Sequence, residues 1–515
     1  MYAAEHAARE PDKPAIVMAT SGEVVTYAAY EAGANQVAHL LRETGVRRRD
    51  HVAIFMDNEP RMLISEGGAE RTGAFFTCIN SYLSTEEVAY IINDSQARVV
   101  MTSASKADVA QRLPDLCPNV ERWLMVGAAP GGPFEEWQEA IDRHSTDPID
   151  DEELGAPMLY SSGTTGRPKG ILRPLARAHP GDRLPAAEGI AALWGFREGM
   201  VYLSPAPLYH TAPQVSVALT LRLGATAVVM EHFDAAQFLD VLGRYRVTHS
   251  QVVPTMFSRL LKLPDAVRRA ADISSLERII HAAAPCPIAV KEQMIDWFGP
   301  IIVEYYAATE GNGCTFCDAE DWLAHKGTVG RAVLGQVLIL DDEGTPCATG
   351  TPGTVWFRGA TSFEYFNDEA KTAASRNADG DTSTVGDVGY LDEKGYLFLT
   401  DRKTHMIISG GVNIYPQETE NLLITHPKVM DAAVIGVPDD DLGEAVKAVV
   451  QPVPGVEPTV ELERELIAYC REHLAHFKCP RSVDFEVELP RLPTGKLYKL
   501  PLRDRYWGDH TTRIV

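Results

Sequence analysis

The sequence has a shortage of positive charge, few cysteines and no long hydrophobic run, and each shortage excludes a class of protein. Its 515 residues include 48 lysines and arginines against 71 acidic residues, a formal net charge of −23. Nucleic acids and anionic membrane surfaces attract basic proteins, so neither is expected as the main partner. No apolar run approaches the ~20 residues that a membrane-spanning helix needs. The amino terminus has no basic stretch followed by an apolar core, so no signal peptide is predicted.

Eight cysteines are scattered along the chain, and only Cys314 and Cys317 form a CxxC pair. No second cysteine pair or histidine pair lies near them in the sequence to complete a zinc site. The pair follows a Gly-Asn-Gly loop rather than opening a helix, so reduced thiols are the simpler interpretation. Together with the missing signal peptide, this predicts a cytoplasmic protein.

The composition is otherwise that of a folded globular protein, 45% hydrophobic and 23% charged, with enough chain for two to four domains. Up to about residue 400, short apolar runs alternate with helical patterns, which predicts α/β layers around a mostly parallel sheet. Strands are expected at 15–18, 51–56, 98–101, 201–205, 226–230 and 278–283, and helices at 29–43, 61–73, 85–93, 235–245 and 288–298.

The pattern changes after residue 334. Strand-like pieces separated by the turn signals DDEG and DEKG predict a small antiparallel β region up to residue 400. We expect acidic runs such as 341–343 and 439–441 to be turn tips rather than metal sites, because they lack the ligand spacing of a calcium loop. Near residue 402 a small α+β section begins, with a helix opened by Pro416. An amphipathic helix follows, with one stripe formed by Leu462, Leu466, Cys470, Leu474 and Phe477.

These patterns predict an α/β fold in two domains. Residues 1–401 would form a large N-terminal domain of layered α/β subdomains plus the small β region. Residues 402–515 would form a small α+β C-terminal domain.

The strongest chemical signal is the segment YSSGTTGRPKG, from Tyr160 to Gly170. Its glycines let the backbone approach an anion closely, its hydroxyls can donate hydrogen bonds, and its lysine supplies positive charge. The spacing differs from the nucleotide-binding P-loop GxxxxGK(S/T), since Gly170 stands where that loop has a hydroxyl. The predicted phosphate-binding residues are Ser161, Ser162, Gly163, Thr164, Thr165, Gly166 and Lys169.

This segment resembles the phosphate loop of the adenylate-forming superfamily, which includes acyl- and aryl-CoA synthetases, peptide-synthetase adenylation domains and beetle luciferases. The family's other motifs follow in its order, so the resemblance spans nearly the whole chain. They are Pro207–His210, Ala283–Pro285, Tyr306–Glu310, Gly386–Asp387, Asp401–Arg402, Ser409–Gly411 and Pro493–Lys496.

The resemblance implies an ATP-dependent ligase that forms an acyl-adenylate and then a thioester of coenzyme A. Besides the phosphate loop, the residues it assigns to ATP are Ala283, Ala284, Pro285, Tyr306, Asp387 and Arg402. It places Ser409, Gly410 and Gly411 along the CoA channel, and His210 between the acyl pocket and the pantetheine tunnel. It also implies that the small domain rotates between the two half-reactions.

The proposed catalytic residues also suit this chemistry on their own. Joining a carboxylate to a phosphate requires that negative charge be neutralised. Glu310 can hold Mg²⁺, Thr309 can donate a hydrogen bond to the phosphate or carboxylate, and Lys496 can reach the oxygens on which charge accumulates. Alone, His210 is equally well interpreted as a satisfied buried histidine.

The chain departs from the family pattern at three positions. Thr404 stands where the family usually has a charged hinge residue, Ala307 replaces the glycine after the motif tyrosine, and Val385 replaces the threonine before Gly386. None of these changes removes a catalytic group.

The substrate is predicted from the region after His210. Leu208 to Met230 contains no Asp or Glu, and a buried ammonium without a partner is costly, so an amino acid is not expected. Small and apolar residues predict a fatty or other bulky hydrophobic acid, and the chain resembles bacterial fatty-acid and steroid-side-chain CoA ligases most. The candidate acyl-pocket residues are Trp194, Gln214, Val215, Ala307, Ala308 and Gly311, of which Trp194 could equally be a core residue.

Two alternatives remain open at this point. The acyl group could pass to a carrier protein instead of CoA, or the protein could bind a nucleotide without catalysis. Loss of Glu310 or Lys496 would have favoured the second alternative, and both residues are present. The expected ligands are ATP, Mg²⁺, CoA and a small carboxylic acid, and a homodimer is an open expectation.

Overall fold

The computed structural model describes residues 2–127, 131–161, 168–360, 362–402, 405–410, 412–439, 441–491 and 497–508. The chain forms two compact units. The first comprises Met1–Val252, Leu263–Ile280 and Ser362–Ala374, and the second comprises Val253–Lys262, His281–Thr361 and Ser375–Val515. No helix of the described residues is long and apolar enough to cross a membrane.

The α-helices of the described residues are α1 (Ala3–Arg9), α2 (Tyr27–Glu43), α3 (Pro60–Arg71), α4 (Thr85–Asp94), α5 (Ala107–Ala110), α6 (Leu113–Leu116), α7 (Trp137–Ile141), α8 (Pro185–Trp194), α9 (Thr211–Arg222), α10 (Ala235–Arg244), α11 (Pro254–Leu261), α12 (Asp265–Ala270), α13 (Ile288–Phe298), α14 (Ala319–Ala324), α15 (Glu369–Ala374), α16 (Pro416–Thr425), α17 (Val460–His473) and α18 (Lys499–Trp507).

The strands are β1 (Pro14–Met18), β2 (Val24–Thr26), β3 (His51–Phe55), β4 (Phe75–Cys78), β5 (Ala97–Ser103), β6 (Arg122–Val126), β7 (Phe134–Glu136), β8 (Ala156–Pro157), β9 (Leu159–Ser161), β10 (Lys169–Leu172), β11 (Val201–Ser204), β12 (Thr226–Val229), β13 (His249–Val252), β14 (Arg278–His281), β15 (Ile302–Ala307), β16 (Cys314–Cys317), β17 (Arg331–Leu334), β18 (Gln336–Leu340), β19 (Gly353–Arg358), β20 (Glu364–Tyr365), β21 (Thr382–Ser383), β22 (Asp387–Leu391), β23 (Leu397–Arg402), β24 (Ile407–Ser409), β25 (Val412–Ile414), β26 (Val429–Asp439), β27 (Gly443–Pro452) and β28 (Ser482–Phe485).

The first unit contains two mostly parallel sheets. One has the strand order β7-β6-β5-β3-β4-β8, with every neighbouring pair parallel. The other runs β13-β11-β12-β1-β2, and only the β1–β2 pair is antiparallel in it. The predicted α/β layers with a parallel sheet are therefore confirmed. The buried strands β3 and β5 read as continuous apolar runs because helices cover both faces of such sheets.

Local signals in the sequence mark the starts of several helices. Ser84 and Glu87 form a reciprocal capping box at the start of α4, which satisfies two backbone donors. Thr26 caps α2, and prolines occupy the first turn of α3, α11 and α16, where a missing N–H costs nothing.

The second unit contains two antiparallel-rich sheets. The predicted β region forms the order β18-β19-β22-β23, with β21 paired to β19. The later part of the chain forms β25-β24-β27-β26, with β28 added in parallel beside β27. The proposed boundary at residue 402 falls within this unit and stays a prediction.

The predicted amphipathic stripe of α17 is confirmed except at its last residue. Leu462, Leu466 and Cys470 are buried in the core of the small sheet, as expected, and Leu474 packs against it. Phe477 is 52% exposed. The helix ends at His473 and a 3-10 turn follows, so the 3.6-residue period no longer places that side chain on the buried face.

Candidate active site

The predicted phosphate loop is carried by a β-hairpin of the first unit. Strands β9 and β10 pair antiparallel, with Tyr160 opposite Gly170. Residues 162–167 lie outside the described residues, as does the side chain of Ser161. The Tyr160 hydroxyl donates to Asp94 at 2.7 Å, which fixes one arm of the hairpin to helix α4.

Lys169 stands at the first position of β10 and is paired within the same unit. Its ammonium lies 2.9 Å from a carboxylate oxygen of Asp368, and this contact raises the pKa of the lysine. The lysine is therefore fully charged at neutral pH. A phosphate that it bound would compete with Asp368 for the ammonium.

Seven predicted nucleotide or acyl-pocket residues line one pocket of the second unit, with a cavity of about 180 Å³. They come from the turn after β14, from the end of β15 and from the start of β22. They are Ala283, Ala284, Pro285, Tyr306, Ala307, Ala308 and Asp387. Residues more than 100 positions apart in the sequence thus share one wall, as the motif order predicts.

The turn after β14 has an unusual backbone. Ala283 has a φ of +74°, in the left-handed region that favours glycine. Such strained residues cost free energy and often occur at functional sites. The turn opens the pocket between β14 and α13, where Ala282 to Pro285 line the wall.

Tyr306 and Asp387 are joined by a hydrogen bond. The tyrosine hydroxyl donates to the Asp387 carboxylate at 2.7 Å, and the aspartate is 7% exposed. Across the β22–β23 pair, the backbone of Arg402 lies opposite Asp387. A carboxylate fixed in this way has a second oxygen with which to accept hydrogen bonds from vicinal hydroxyls.

Thr309 and Glu310 follow directly after β15. Glu310 is 8% exposed, and the chain turns sharply beyond it, where Gly311 has a φ of +70° and donates to the Ala308 carbonyl. Carboxylate and hydroxyl oxygens are donors that Mg²⁺ prefers. No group of three or more acidic, histidine or cysteine side chains suited to a metal occurs among the described residues. The pair therefore fits an ion that takes its other ligands from phosphate oxygens and water.

The segment that carries Lys496 is anchored at both ends. Lys496 itself lies outside the described residues. Before it, Arg491 pairs with Asp431. After it, the buried Lys499 ammonium lies 2.7 Å from Glu420. Arg491, Leu497 and Lys499 all line the pocket that holds the adenine turn, so the base of this segment borders the predicted nucleotide site.

The predicted CoA-channel turn is the β24–β25 hairpin. Ser409 pairs with Val412, and Gly410 has a φ of +57° with its N–H donating to the Leu442 carbonyl. A Cβ added at Gly410 would lie 3.2 Å from the Leu442 side chain, which would have to shift slightly, so the left-handed backbone is the main reason for glycine there. Gly411 and the predicted hinge Thr404 lie outside the described residues.

His210 begins helix α9 in the first unit. Burial lowers its pKa to about 3, so the imidazole is neutral at physiological pH. Its Nε2 atom is buried with no hydrogen-bond partner, and its ring packs 4.4 Å from that of Tyr209. This does not fit the satisfied buried histidine that the sequence left open.

Sequence reasoning missed a buried acid beside α9. Glu66 of α3 is 7% exposed and accepts a hydrogen bond from the Cys78 thiol at 3.2 Å. The Gln214 amide donates to the same sulfur at 3.2 Å, while its carbonyl oxygen is buried without a partner. Burial raises the pKa of Glu66 to about 8, so the carboxyl is mostly protonated at neutral pH.

This cluster corrects one sequence argument. The window from Leu208 to Met230 holds no acid, yet the fold brings Glu66 to the first turn of α9 from nearly 150 positions earlier. Absence from the window therefore does not exclude an acidic partner for a substrate. The one signal in the sequence was an acid within the run 62–69, in which Ser65 is the other polar residue.

The remaining acyl-pocket candidates are Trp194, Val215 and Gly311. Trp194 is 5% exposed and packs edge-on against Phe196, 5.5 Å away, which favours its core interpretation. Val215 is half-buried on α9, and Gly311 is half-buried after β15. Their roles in binding an acid stay predictions.

Comparison with known proteins identifies the class. The chain is an adenylate-forming enzyme. It belongs to the AMP-binding enzyme family, whose model matches residues 3–365, and the model of the AMP-binding enzyme C-terminal domain matches residues 418–496. The resemblance found in the sequence, and the mixed α/β architecture that it implied, are confirmed.

Similar proteins include several acid:CoA ligases. The long-chain-fatty-acid–CoA ligase FadD13 of Mycobacterium tuberculosis is 31% identical, covering 98% of this chain and 97% of its own. An octahydro-indenyl-propanoyl:CoA ligase of Rhodococcus jostii is 32% identical, covering 98% of each chain. Among solved structures, the anthranilate CoA ligase AuaEII in complex with anthranoyl-AMP has a TM-score of 0.84 at 26% identity, covering 98% of this chain and 97% of that one.

Proposed function

We propose that this protein is an ATP-dependent carboxylic acid:CoA ligase that works through an acyl-adenylate. The observation that carries the proposal is the pocket of the second unit. It joins the adenine turn, the Tyr306–Asp387 pair and the two ends of the segment that holds Lys496. In a member of the AMP-binding enzyme family, this arrangement suits binding of a nucleotide and transfer of its adenylyl group.

In the first half-reaction, a carboxylate oxygen of the acid attacks the α-phosphorus of ATP. A new P–O bond forms, the bond to the β-phosphate oxygen breaks, and pyrophosphate leaves. Lys169 holds the phosphate chain, Thr309 donates a hydrogen bond at the reacting centre, and Lys496 stabilises the charge that moves to the leaving group. Asp387 accepts from the ribose hydroxyls.

In the second half-reaction, the CoA thiolate attacks the acyl carbonyl and AMP leaves. Ser409 to Gly411 line the path of the thiol in this proposal. In this proposal His210 does not act as a base, because burial keeps its pKa near 3. It contributes the volume of its ring and a ring nitrogen that can form a hydrogen bond. An uncharged imidazole neither repels nor binds the charged groups of the substrates that pass it.

Glu310 would hold Mg²⁺ beside the phosphates. The ion supplies charge neutralisation between two anions when bound. The burial of Glu310 and the all-oxygen donor set support this assignment.

We propose that residues 402–515 move as a domain about Thr404. Such a motion has to break identifiable contacts. The Lys262 ammonium, at the end of α11, donates to the carbonyls of Val429 at 2.7 Å and Met430 at 2.9 Å. Burial lowers the pKa of Lys262 to about 8, although the nearby charge of Asp431 opposes the shift.

The substrate is proposed to be a fatty or other bulky hydrophobic acid. Long-chain, bicyclic and aromatic acids all occur among the names of similar ligases, so the pocket chemistry has to decide between them. The free Gln214 carbonyl and the protonated Glu66 favour an acid that also carries a hydrogen-bonding group. A homodimer and a cytoplasmic location stay predictions.

The test is release of AMP and pyrophosphate over a panel of acids, with and without CoA. The panel runs from short to long fatty acids, aryl acids and fused-ring acids, each with and without a hydroxyl group. CoA-dependent AMP formation with one class would support the ligase and name its substrate. Pyrophosphate release that ignores CoA would favour transfer to a carrier protein. No turnover with any acid, while ATP still binds, would contradict the proposal.

Two variants separate the half-reactions. Lys496→Ala should nearly abolish adenylation but spare thioester formation from supplied acyl-AMP. Gly411→Leu should impair thioester formation more than adenylation, because the side chain fills the channel. Lys394→Ala, at an exposed turn, is the control and should change neither. Equal loss of both half-reactions in either test variant would contradict the two-pose assignment.

A further inference from the structure

Four arginines converge on a groove of the first unit, although the chain as a whole is strongly acidic. We propose that this arginine groove binds an organic phosphate of nucleotide size. It has a cavity of about 420 Å³, within the range of small-molecule sites. The residues that define it are Arg48, Arg49, Arg173, Arg177, Phe75 and Leu172. The proposed ligase chemistry uses none of them.

The groove lies at the amino ends of parallel strands. Arg48 and Arg49 precede β3, and Phe75 is the first residue of β4. Ligands of α/β sheets usually bind at the carboxyl ends, so this edge is distinct from the usual one. Lys169 and Leu172 occupy opposite ends of β10, roughly 10 Å apart at ~3.3 Å per residue. The groove is therefore separate from Lys169.

Arg48 builds one wall. Its guanidinium donates to the carbonyls of Leu175 at 2.8 Å and Ala176 at 3.4 Å, and it pairs with Glu153 at 3.2 Å. These contacts hold the segment after β10 in place beside β3. Arg48 therefore has a structural role and is not needed as an anion ligand.

Arg49 and Arg177 are different, because both are exposed. Within the part of the chain that the structure describes, neither forms an ion pair with a carboxylate. Glu364 is the single acidic residue among the groove's lining residues. Two unpaired guanidinium groups on a protein with a net charge of −23 are available to an anion, and arginine matches phosphate geometry well.

The backbone of Arg49 supplies an independent observation. Its φ is +72°, a conformation that glycine adopts freely and arginine does not. Its N–H donates to the Gly73 carbonyl at 2.9 Å, which holds the strained residue in place. The chain therefore keeps a charged side chain at a position where glycine would be free of strain. Such retained strain often accompanies a function.

The floor of the groove is apolar and closed. Phe75 is 3% exposed because it stacks on His51, with ring centroids 5.3 Å apart, and burial lowers the pKa of His51 to about 4, so the histidine ring is uncharged. A neighbouring cavity of about 410 Å³ shares Arg49, Phe75 and Leu172. Two adjoining cavities of this size beside two cations have room for a nucleoside that carries phosphates. A free nucleotide and the nucleotide part of CoA share this chemistry.

The test is hydrogen–deuterium exchange of the full-length protein with ADP, CoA or inorganic tripolyphosphate. ADP or CoA should protect the backbone at 46–51, 172–177 and 362–366, besides the nucleotide pocket at 282–308. The ligand that protects the groove at the lower concentration, ADP or CoA, identifies whether a free nucleotide or the nucleotide part of CoA is bound. Tripolyphosphate should protect the groove more weakly, because it has no nucleoside to occupy the neighbouring cavity.

The variant Arg49→Gly/Arg177→Ser removes both free cations without adding backbone strain. It should raise the ligand concentration for half-maximal protection of the groove about tenfold or more, while protection at 282–308 is unchanged. The control Arg112→Ser/Arg143→Ser removes two exposed arginines of the same unit and should change neither. Absence of groove protection with all three ligands would overturn the proposal, as would equal protection in the Arg49→Gly/Arg177→Ser variant. Equal protection by tripolyphosphate and ADP would overturn the nucleotide assignment.

Discussion

Two buried carboxyl groups, one in each unit, are stabilised in opposite ways. Glu304 in the second unit is 4% exposed and lies 2.5 Å from the fully buried Lys291 ammonium, which also stacks over Trp322. Glu66 in the first unit is 7% exposed and has a thiol and a nearby amide as neighbours. Burial raises the pKa of both carboxyls, but only Glu304 has a cation that opposes the shift.

The difference shows that burial alone does not decide a charge state. An ion pair keeps its charges inside a protein when a close partner offsets the loss of water. A carboxyl without a cation keeps a proton instead and then serves as a neutral hydrogen-bonding group. The first arrangement fixes β15 behind the predicted nucleotide pocket, whereas the second leaves a polar group able to respond to pH or to a ligand.

Breaking the ion pair should have the largest effect. Lys291→Met leaves Glu304 buried without a cation and should reduce the free energy of unfolding by about 3–5 kcal/mol. Denaturant titration measures this loss. Lys291→Met/Glu304→Leu removes both charges and should recover most of it. A double variant no better than the single one would contradict the ion-pair account.

Glu66→Gln should change the pH dependence of stability. The folded-state pKa of about 8 lies above the unfolded value near 4.5. Stability from this group is therefore full below pH 4.5 and falls by about 1.4 kcal/mol for each pH unit until about pH 8. Glutamine mimics the protonated form, so the variant should lack this one-proton slope. Unfolding measured from pH 5 to 9 tests it, and an unchanged slope would refute the assignment.

Cys78→Ala should reduce the free energy of unfolding by a smaller amount, and it tests the hydrogen bonds of Glu66. The thiol donates to Glu66 and accepts from Gln214, so its removal leaves both polar groups short of a partner. We expect a loss of about 1–2 kcal/mol. The Glu66 pKa should rise further, because the thiol hydrogen bond lowers it. A downward shift of the pH midpoint would show that the thiol does not act on this carboxyl.

Ala283→Gly should give the smallest effect, and it should be favourable. The residue has a φ of +74° in the turn next to the Glu304 pair. Relief of this strain should stabilise the fold by up to about 1 kcal/mol, offset in part by the added freedom of the unfolded chain. Thermal unfolding measures the change. A destabilised variant would mean that the alanine methyl packs well enough to outweigh the strain.

Much of the fold followed from local patterns. The helix expected at 235–245 is Ala235–Arg244, and the strand expected at 226–230 is Thr226–Val229. Both lie where apolar periodicity is strong and turn residues flank the element. The expectation for Phe477 is wrong because a helix end is set by capping and by the following turn, which periodicity does not reveal.

The sequence predicts parts of the candidate site only where motifs are continuous. The predicted adenine turn and the Tyr306 motif could be proposed because each is a short run in a fixed order. The contact between Glu66, Cys78 and Gln214 could not be, because tertiary packing joins three elements that carry no shared pattern. Likewise, the left-handed backbone of Arg49 leaves no trace in a stretch that reads simply as three arginines.

The two ion pairs beside the segment of Lys496 have a consequence for the proposed rotation. Asp431 and Glu420, which hold Arg491 and Lys499, both belong to residues 402–515. A rotation of residues 402–515 about Thr404 would therefore carry both ends of the segment together and leave the distance between them unchanged. The position of the lysine in each pose would then follow from the angle of rotation and not from any stretching of the chain between the two anchors.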